Sequence, residues 1–369
     1  MLQPWARSRM PRLSSAVTLL VLLFVLTLAG TAEGATTSEP TPTSTPDSPG
    51  IVMASSTIDL PDPFVLTGQG KYYLFTSTAF GSTLKIPVLV GSPGHWSKPK
   101  EAIASLPSWA TPANQDGLEW APSIHKFGST YVMYYAPTLL GAVPVQHCIA
   151  VATATSPAGP YTSLPNRFVC NPTEGGDIDA EVFVDPTGVN GPSHPNYLIW
   201  KSDNNSTPGS GVPSTWAQPL SNNGLELTGS PVRIYQSDQP WQHSLIEAPQ
   251  MVLSPTGSVY LFYSASGFAA PNYAMGVAQC VGPLGPCTDV SPNPLVASNS
   301  QGPGPGEETA FTAVDGSLWL IYNPWYSAAP TFPFMRPAEA VRIGWSGSGP
   351  YVAKAGTFPS PSWSGPARP

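Results

Sequence analysis

The sequence is poor in charged residues. Asp, Glu, Lys and Arg make up only 10% of its 369 residues, and the net charge is −7. No cluster of Lys or Arg is of the kind that binds nucleic acid, so we expect no nucleic acid partner. Long helices are also excluded, because 46 prolines interrupt the chain at short intervals. A low-charge surface with 10% aromatic residues suits a neutral ligand.

Only one long apolar run is present, and it lies at the N-terminus. Arg7, Arg9 and Arg12 precede the apolar residues 16–28, and small residues follow. The run is shorter than the roughly 18 residues that span a bilayer. This order is typical of a secretory signal peptide, which we assign to residues 1–35. We therefore expect a secreted, extracellular protein with no stable membrane anchor after signal removal.

The remainder of the chain divides by composition. Residues 36–50 are mostly Thr, Ser and Pro. Such a segment has too little apolar surface to offset the conformational entropy that is lost on ordering, so we expect a linker. Residues 51–358 are long enough for one large all-β domain. We expect residues 359–369 to form a disordered tail.

Cysteine is scarce, with four residues that all follow the linker. In an exported chain an even number indicates disulfides. Three pairings are open, and we favour Cys148 with Cys170 and Cys280 with Cys287, because each pair closes a short loop beside a strand. A metal site is less well supported, since no CxxC motif or histidine cluster accompanies them.

Five segments share one pattern, in which an apolar strand, a turn containing glycine and a Tyr- or Trp-rich strand follow each other. They recur about every 60 residues. Aligned by their first strands, they place five residues at equivalent points: Pro63, Pro122, Ala180, Pro249 and Ala310. Units that cannot bury both faces alone are expected to stack around an axis. The sequence therefore predicts a five-bladed β-propeller of four-stranded antiparallel blades.

Three of the five first strands carry an acidic residue near the aligned point. These are Asp62, Asp179 and Glu247. The first strand of each blade lines the central channel of a propeller, so we expect the three carboxylates to meet at one mouth of the axis. Converging carboxylates repel each other, which favours a functional site over three unrelated turn residues.

Paired carboxylates across a concave site suit glycoside hydrolysis, in which one acid protonates the leaving oxygen and one base activates water. A third carboxylate raises the pKa of the acid by repulsion. Four nearby acidic residues lie off the aligned point, and we expect them to be supporting or solvated groups: Asp59, Glu119, Asp177 and Glu181.

The motifs LPDPFVL, EWAPSI, DIDAEVFVD and QPWQHSLIEAPQM, in this order, resemble glycoside hydrolase family 43 over residues 58–352. The resemblance implies a five-bladed propeller and an inverting arabinofuranosidase, xylosidase or arabinanase. By position, Asp62 resembles the general base, Asp179 the residue that tunes the pKa of the acid, and Glu247 the general acid.

The chain departs from the family pattern in blade five. Gly304-Pro-Gly-Glu307 stands where the family has Gly-Pro-Gly-His, and Tyr322-Asn323 replaces Tyr-His. A carboxylate at Glu307 can hold a cation or alter a sugar subsite. We therefore expect no required cofactor and no metal site, and calcium stays open.

Aromatic residues flank the expected mouth of the axis. We take Trp120, Trp241 and Trp325 as candidates for stacking on sugar rings, with packing between blades as the alternative.

The sequence therefore predicts a secreted, monomeric, inverting glycosidase that cleaves arabinofuranosyl or xylosyl linkages in a polysaccharide or oligosaccharide. The alternative is a carbohydrate-binding propeller without catalysis. The two differ in whether sugar is released or only bound.

Overall fold

The computed structural model describes residues 50–54, 59–112, 117–186, 196–325, 327, 335–354 and 356–360. The predicted signal peptide, residues 36–49 of the predicted linker and residues 361–369 of the predicted tail lie outside this set. The described helices are three short 3₁₀ turns: Pro172–Glu174, Asn204–Ser206 and Pro240–Gln242. Within the described part of the chain, no helix has the length and hydrophobicity of a transmembrane span.

The strands form five sheets, which confirms the predicted all-β, five-bladed propeller. Strand β1 (Ile51–Ala54) joins the last sheet. Blade one contains β2 (Phe64–Gly68), β3 (Lys71–Phe75), β4 (Pro87–Gly91) and β5 (Lys100–Glu101). Blade two contains β6 (Ile103–Ser105), β7 (Glu119–Phe127), β8 (Thr130–Pro137), β9 (Ala150–Ala154) and β10 (Tyr161–Ser163).

The remaining three sheets follow in chain order. Blade three contains β11 (Asp177–Val184), β12 (Asn196–Ser202), β13 (Ser214–Leu220) and β14 (Val232–Tyr235). Blade four contains β15 (Ile246–Leu253), β16 (Val259–Ala265), β17 (Ala274–Cys280) and β18 (Cys287–Asp289). Blade five contains β19 (Gly306–Thr312), β20 (Leu318–Asn323), β21 (Ala338–Ser346) and β22 (Gly349–Val352).

Two blades depart from the simple four-stranded antiparallel pattern. In blade two, β6 pairs in parallel with β10 at the outer edge. In blade five, β21 pairs antiparallel with both β1 and β22. The N-terminal strand thus completes the sheet of the last blade, and the two ends of the propeller are joined by strand pairing.

Each blade packs against a neighbour on both faces, which explains the nearly continuous apolar second strands. In β16, Leu261 packs against blade three residues such as Tyr197, whereas its neighbour Phe262 packs against blade five residues such as Leu320. All seven residues of β16 are buried. Alternate side chains therefore serve alternate interfaces, and the core lies between the blades.

Both expected disulfides are present and hold outer parts of the blades. Cys280 and Cys287 face each other across β17 and β18. Cys148 bonds to Cys170 in the segments that precede β9 and β11. Near the C-terminus, the Pro359 carbonyl accepts a hydrogen bond of 2.7 Å from the Tyr72 hydroxyl.

Candidate active site

One residue in the left-handed backbone region lies in, or just before, the innermost strand of every blade, which is β2, β7, β11, β15 or β19. These residues and their φ angles are Asp62 (50°), Ala121 (45°), Asp179 (56°), Ala248 (48°) and Glu307 (54°). In blades two to five the ladder register shifts at this residue, as in a β-bulge. A bulge redirects a side chain, and strained backbone of this kind concentrates at functional sites.

The bulges correct one part of the sequence alignment. Pro63, Pro122, Ala180 and Pro249 each directly follow the bulge residue. The equivalent residue in blade five is Glu308, so the alignment on Ala310 was wrong by two positions. Glu307 is therefore the counterpart of Asp62 and Asp179, a relation that the sequence pattern had hidden.

All three predicted carboxylates line one cavity of about 460 Å³ at the axis. Asp62 comes from blade one, Asp179 from blade three and Glu247 from blade four. Glu307 joins them from blade five, and Lys201 and Arg336 bring positive charge. Asp203 also lines it, so the cavity gathers five carboxylates and two cations from residues far apart in the sequence.

Asp62 is held by three neighbours. Ser77 donates a hydrogen bond from its hydroxyl to Oδ2, and Arg336 Nη1 lies 3.9 Å from Oδ1. The Asp62 N–H donates to Asn323 Oδ1 at 2.9 Å. Burial raises the pKa of the Asp62 carboxyl, while Arg336 and Ser77 act in the opposite direction.

Asp179 lies between blades three and four. Its Oδ2 accepts a hydrogen bond of 2.9 Å from the Ala248 N–H, at the bulge of the next blade. Burial raises the pKa of Asp179 to about 7; Glu247 adds to the rise, whereas Lys201 opposes it. Asp179 can therefore exchange a proton near neutral pH.

Glu247 is fixed by a buried lysine. Lys201 Nζ lies 3.1 Å from Glu247 Oε2 and 2.9 Å from Asp203 Oδ1. Burial alone would lower the pKa of Lys201, but Asp203 and Glu247 outweigh it, so the net shift is upward. Lys201 therefore remains charged and holds the Glu247 carboxylate in place.

A set of polar side chains at the ends of the second strands links the blades. In four blades such a side chain bonds the bulge region of the next blade. These bonds join Ser77 Oγ to Ala121 N (2.7 Å), Lys201 Nζ to Glu247 Oε2 (3.1 Å), Ser264 Oγ to Glu307 N (2.8 Å) and Asn323 Oδ1 to Asp62 N (2.9 Å). The sequence analysis missed this set, although the recurrence of a polar residue after each Tyr-rich strand was visible.

The four other acidic residues lie outside the lining of this cavity. Asp59 forms a two-point ion pair with Arg336, at 3.2 and 3.0 Å. Asp177 accepts a hydrogen bond of 2.9 Å from Trp200 Nε1. Glu119 accepts one of 3.1 Å from the Thr78 hydroxyl.

Glu181, the fourth of these residues, lines a narrower space on the axis, of about 30 Å³. Glu308 lines the same space, and neither residue lines the large cavity. Burial raises the pKa of Glu181 to about 8. Glu181 is therefore a buried axial acid whose surroundings differ from those of the cavity carboxylates.

Of the three tryptophans, only Trp120 lines the cavity, where it stacks on His147 with ring centroids 3.6 Å apart. Trp241 stacks on Tyr263, and Trp325 is 1% exposed and donates from Nε1 to the Phe268 carbonyl. These contacts favour packing between blades, and not stacking on a sugar ring, as the role of Trp241 and Trp325.

Two phenylalanines that the sequence analysis did not select line the cavity instead. Phe80 is 51% exposed and Phe268 is 44% exposed. Both lie in loops after the second strand of a blade, and such loops carry no repeat signal from which their position could be predicted.

The described residues include no group of three or more His, Cys, Asp or Glu side chains that could hold a metal ion. At Glu307, the position that bears on calcium, the Tyr273 hydroxyl donates to Oε1 at 2.9 Å. This oxygen is therefore already engaged by a hydrogen-bond donor.

A five-bladed propeller with carboxylates of several blades around one axial cavity has the architecture and chemistry of a glycoside hydrolase. The family model described as glycosyl hydrolases family 43 matches residues 56–350. The chain belongs to this family, as the sequence motifs had predicted.

Two curated relatives and a solved structure are similar to this chain. Alpha-L-arabinofuranosidase B of Pyricularia oryzae is 26% identical over 58% of this chain and 45% of its own length. The extracellular exo-alpha-(1->5)-L-arabinofuranosidase ArbA of Cellvibrio japonicus is 22% identical over 81% of this chain and 87% of its own. The chain thus spans less than half of the first relative and most of the second.

The solved structure is a thermostable family-43 glycoside hydrolase, which superposes with a TM-score of 0.69 at 24% identity. The match covers 84% of this chain and 98% of the other chain. At this level of identity the likeness supports the fold.

Proposed function

We propose that the protein is an inverting glycosidase that releases arabinofuranosyl or xylosyl residues from a polysaccharide or oligosaccharide. The observation that carries this proposal is the lining of one axial cavity by Asp62, Asp179 and Glu247. Hydrolysis with inversion needs an acid and a base on opposite sides of the scissile bond.

In this mechanism Asp62 is the general base. It removes a proton from a water molecule that attacks the anomeric carbon, and Arg336 and Ser77 hold the carboxylate in position. Glu247 is the general acid and donates its proton to the glycosidic oxygen as the bond breaks. Asp179 accepts a hydrogen bond from the N–H of Ala248, the residue after Glu247, and takes the third carboxylate role that the family resemblance implies.

The names of the two relatives and the residues that line the cavity both bear on the identity of the substrate. Both curated relatives carry the name arabinofuranosidase, which favours an arabinofuranosyl over a xylosyl substrate. Trp120 and the exposed Phe80 and Phe268 offer aromatic faces for sugar rings at the cavity. The two cations of the cavity are already paired with carboxylates, which agrees with a neutral ligand.

We further propose that the protein is secreted. The N-terminal sequence has the order of a signal peptide, two disulfides are present, and one relative is named as extracellular. N-terminal sequencing of protein from the culture medium should find a chain cleaved near residues 32–35, which begins near residue 36. An uncleaved N-terminus on the secreted protein would contradict this assignment.

The stereochemical course of hydrolysis tests the mechanism. Proton NMR of a freshly started reaction on an aryl α-L-arabinofuranoside and an aryl β-D-xyloside should detect the released sugar first with inverted anomeric configuration. A sugar that first appears with retained configuration would contradict the assignment of Asp62 as a base. Binding of oligosaccharide without any release would favour the carbohydrate-binding alternative.

A further inference from the structure

Glu307 is a cavity carboxylate to which the proposed mechanism gives no role. It occupies in blade five the bulge position that Asp62 and Asp179 occupy in blades one and three. Its N–H donates to Ser264 Oγ at 2.8 Å, which fixes the backbone, and its side chain reaches the cavity. Strained backbone positions cluster at functional sites, so a strained residue that lines a cavity is a candidate for ligand binding.

The charges around Glu307 disfavour its ionised form. The carboxyls of Asp179, Glu247 and Asp62 act on it from three other blades. Within the described residues, the ion pairs of Lys201 go to Asp203 and Glu247, and those of Arg336 go to Asp59 and Asp62. Glu307 thus interacts with three other cavity carboxylates and, among the described residues, has no salt bridge of its own.

Tyr273 determines which oxygen of Glu307 faces the ligand. The Tyr273 hydroxyl donates to Oε1 at 2.9 Å, and burial raises the pKa of Tyr273 well above its usual range, so the hydroxyl stays a donor. The ring rests on Gly306, where an added Cβ would lie 2.0 Å from the ring. Because Oε1 accepts a hydrogen bond from the Tyr273 hydroxyl, a proton carried by Glu307 itself resides on Oε2.

We propose that Glu307 is a neutral carboxylic acid that binds substrate, and that it donates a hydrogen bond from Oε2 to a sugar hydroxyl at the floor of the cavity. This inference rests on the proposed function, because it takes the ligand to be a sugar. Glu307 then determines specificity, because it selects sugars that place a hydroxyl oxygen within hydrogen-bond distance of its Oε2.

Electrostatics agrees with this role. Burial, followed by repulsion from Asp179, Glu247 and Asp62, raises the pKa of Glu307 well above its ordinary value. The guanidinium of Arg336 also acts on Glu307, but its short contacts are to Asp59 and Asp62. A neutral acid can donate to a hydroxyl, whereas a carboxylate can only accept.

Calorimetric titration with L-arabinose and D-xylose tests the proposal without requiring hydrolysis. Glu307→Gln keeps the shape and a donor, so we expect its Kd for the preferred sugar within about threefold of the wild type. Glu307→Ala should raise Kd by about 5- to 100-fold, as expected for the loss of one buried hydrogen bond. Glu226→Gln is the control, since this exposed residue does not line the cavity, and its Kd should not change.

The pH dependence of Kd shows whether Glu307 donates a hydrogen bond to the sugar or only fills space in the cavity. In the wild type, Kd should rise at alkaline pH as Glu307 loses its proton, and in Glu307→Gln this part of the rise should be absent. The proposal is overturned if Glu307→Gln weakens binding as much as Glu307→Ala, or if neither variant changes Kd. If the Kd values of the wild type and the two variants differ as expected but the wild type releases no sugar, the proposed hydrolysis is rejected. The role of Glu307 in binding would then still stand.

Discussion

Lys201 shows how much of the site depends on a single residue. Its side chain is 1% exposed, yet it carries a charge that contacts Glu247 of blade four and Asp203 of its own blade. Removing one member of a buried ion pair leaves an uncompensated charge in a medium of low polarity. The residue therefore positions the proposed acid and also stabilises the contact between two blades.

Lys201→Met should lower the free energy of unfolding by about 3–5 kcal/mol, because Glu247 and Asp203 lose their buried cation. Denaturant titration followed by tryptophan fluorescence measures the change. Lys126→Met is the matched control, since this lysine is exposed and its ammonium group lies over the ring of Tyr131. Its effect should stay below about 1 kcal/mol, and equal losses in both variants would argue against the role of Lys201.

At the scale of the strand, the bulge is the element that makes the site. A regular strand would continue its two-residue alternation across the position and would bring no side chain to the axis. A left-handed residue stands at this position in all five blades and interrupts the alternation in blades two to five, and in three blades it is acidic. The two alanines at this position, Ala121 and Ala248, keep the backbone shape without adding charge.

Ala121→Gly tests whether the backbone is strained. An L residue in the left-handed region costs about 1–2 kcal/mol, so glycine should leave the free energy of unfolding unchanged or raise it by up to about 1 kcal/mol. Ala310→Gly, in β19 and outside the positive-φ positions, should lower it by about 0.5–1 kcal/mol. Thermal or chemical unfolding measures both, and a similar loss in both variants would contradict the strain.

The closing of the propeller was not predictable from the repeat. Strand β1 lies outside the five segments, and it is recognised as part of blade five only through its pairing with β21. Phe358, near the other end, packs beside Tyr72 and Phe311 in the core between blades five and one. The pairing of β1 with β21 and the contact of Phe358 with Tyr72 join the two ends of the domain, and no local pattern encodes such a pairing.

At the scale of the whole molecule, the sequence could predict the fold because each blade repeats one pattern of apolar and turn residues. The same repetition found Asp62, Asp179 and Glu247, since equivalent positions converge on an axis. Lys201 stands at a recurring polar position, but its partner in the next blade has no local signal. Arg336, Phe80 and Phe268 have no repeat signal at all, because their role depends on which residue of another blade lies opposite. Glu307 was noticed as a departure from a family motif, but its equivalence to Asp62 needed the backbone angles.

The blades act together through the polar side chains that connect each bulge region with the blade before it. Asn323 accepts from Asp62 N and donates to the carbonyls of Leu60 and Pro337, so blade five positions the proposed base of blade one. Lys201 does the same for Glu247 between blades three and four. The site is therefore a property of the closed propeller.

The rate of sugar release by variants of the proposed acid and base tests the central claim most directly. Asp62→Asn and Glu247→Gln should each lower kcat by about 10²- to 10⁴-fold, since each removes one proton transfer. Because both groups serve one step, the double variant should be within about tenfold of the slower single variant. Glu226→Gln, at an exposed position, is the control and should retain the wild-type rate. Near-normal kcat in correctly folded Asp62→Asn and Glu247→Gln would contradict the account.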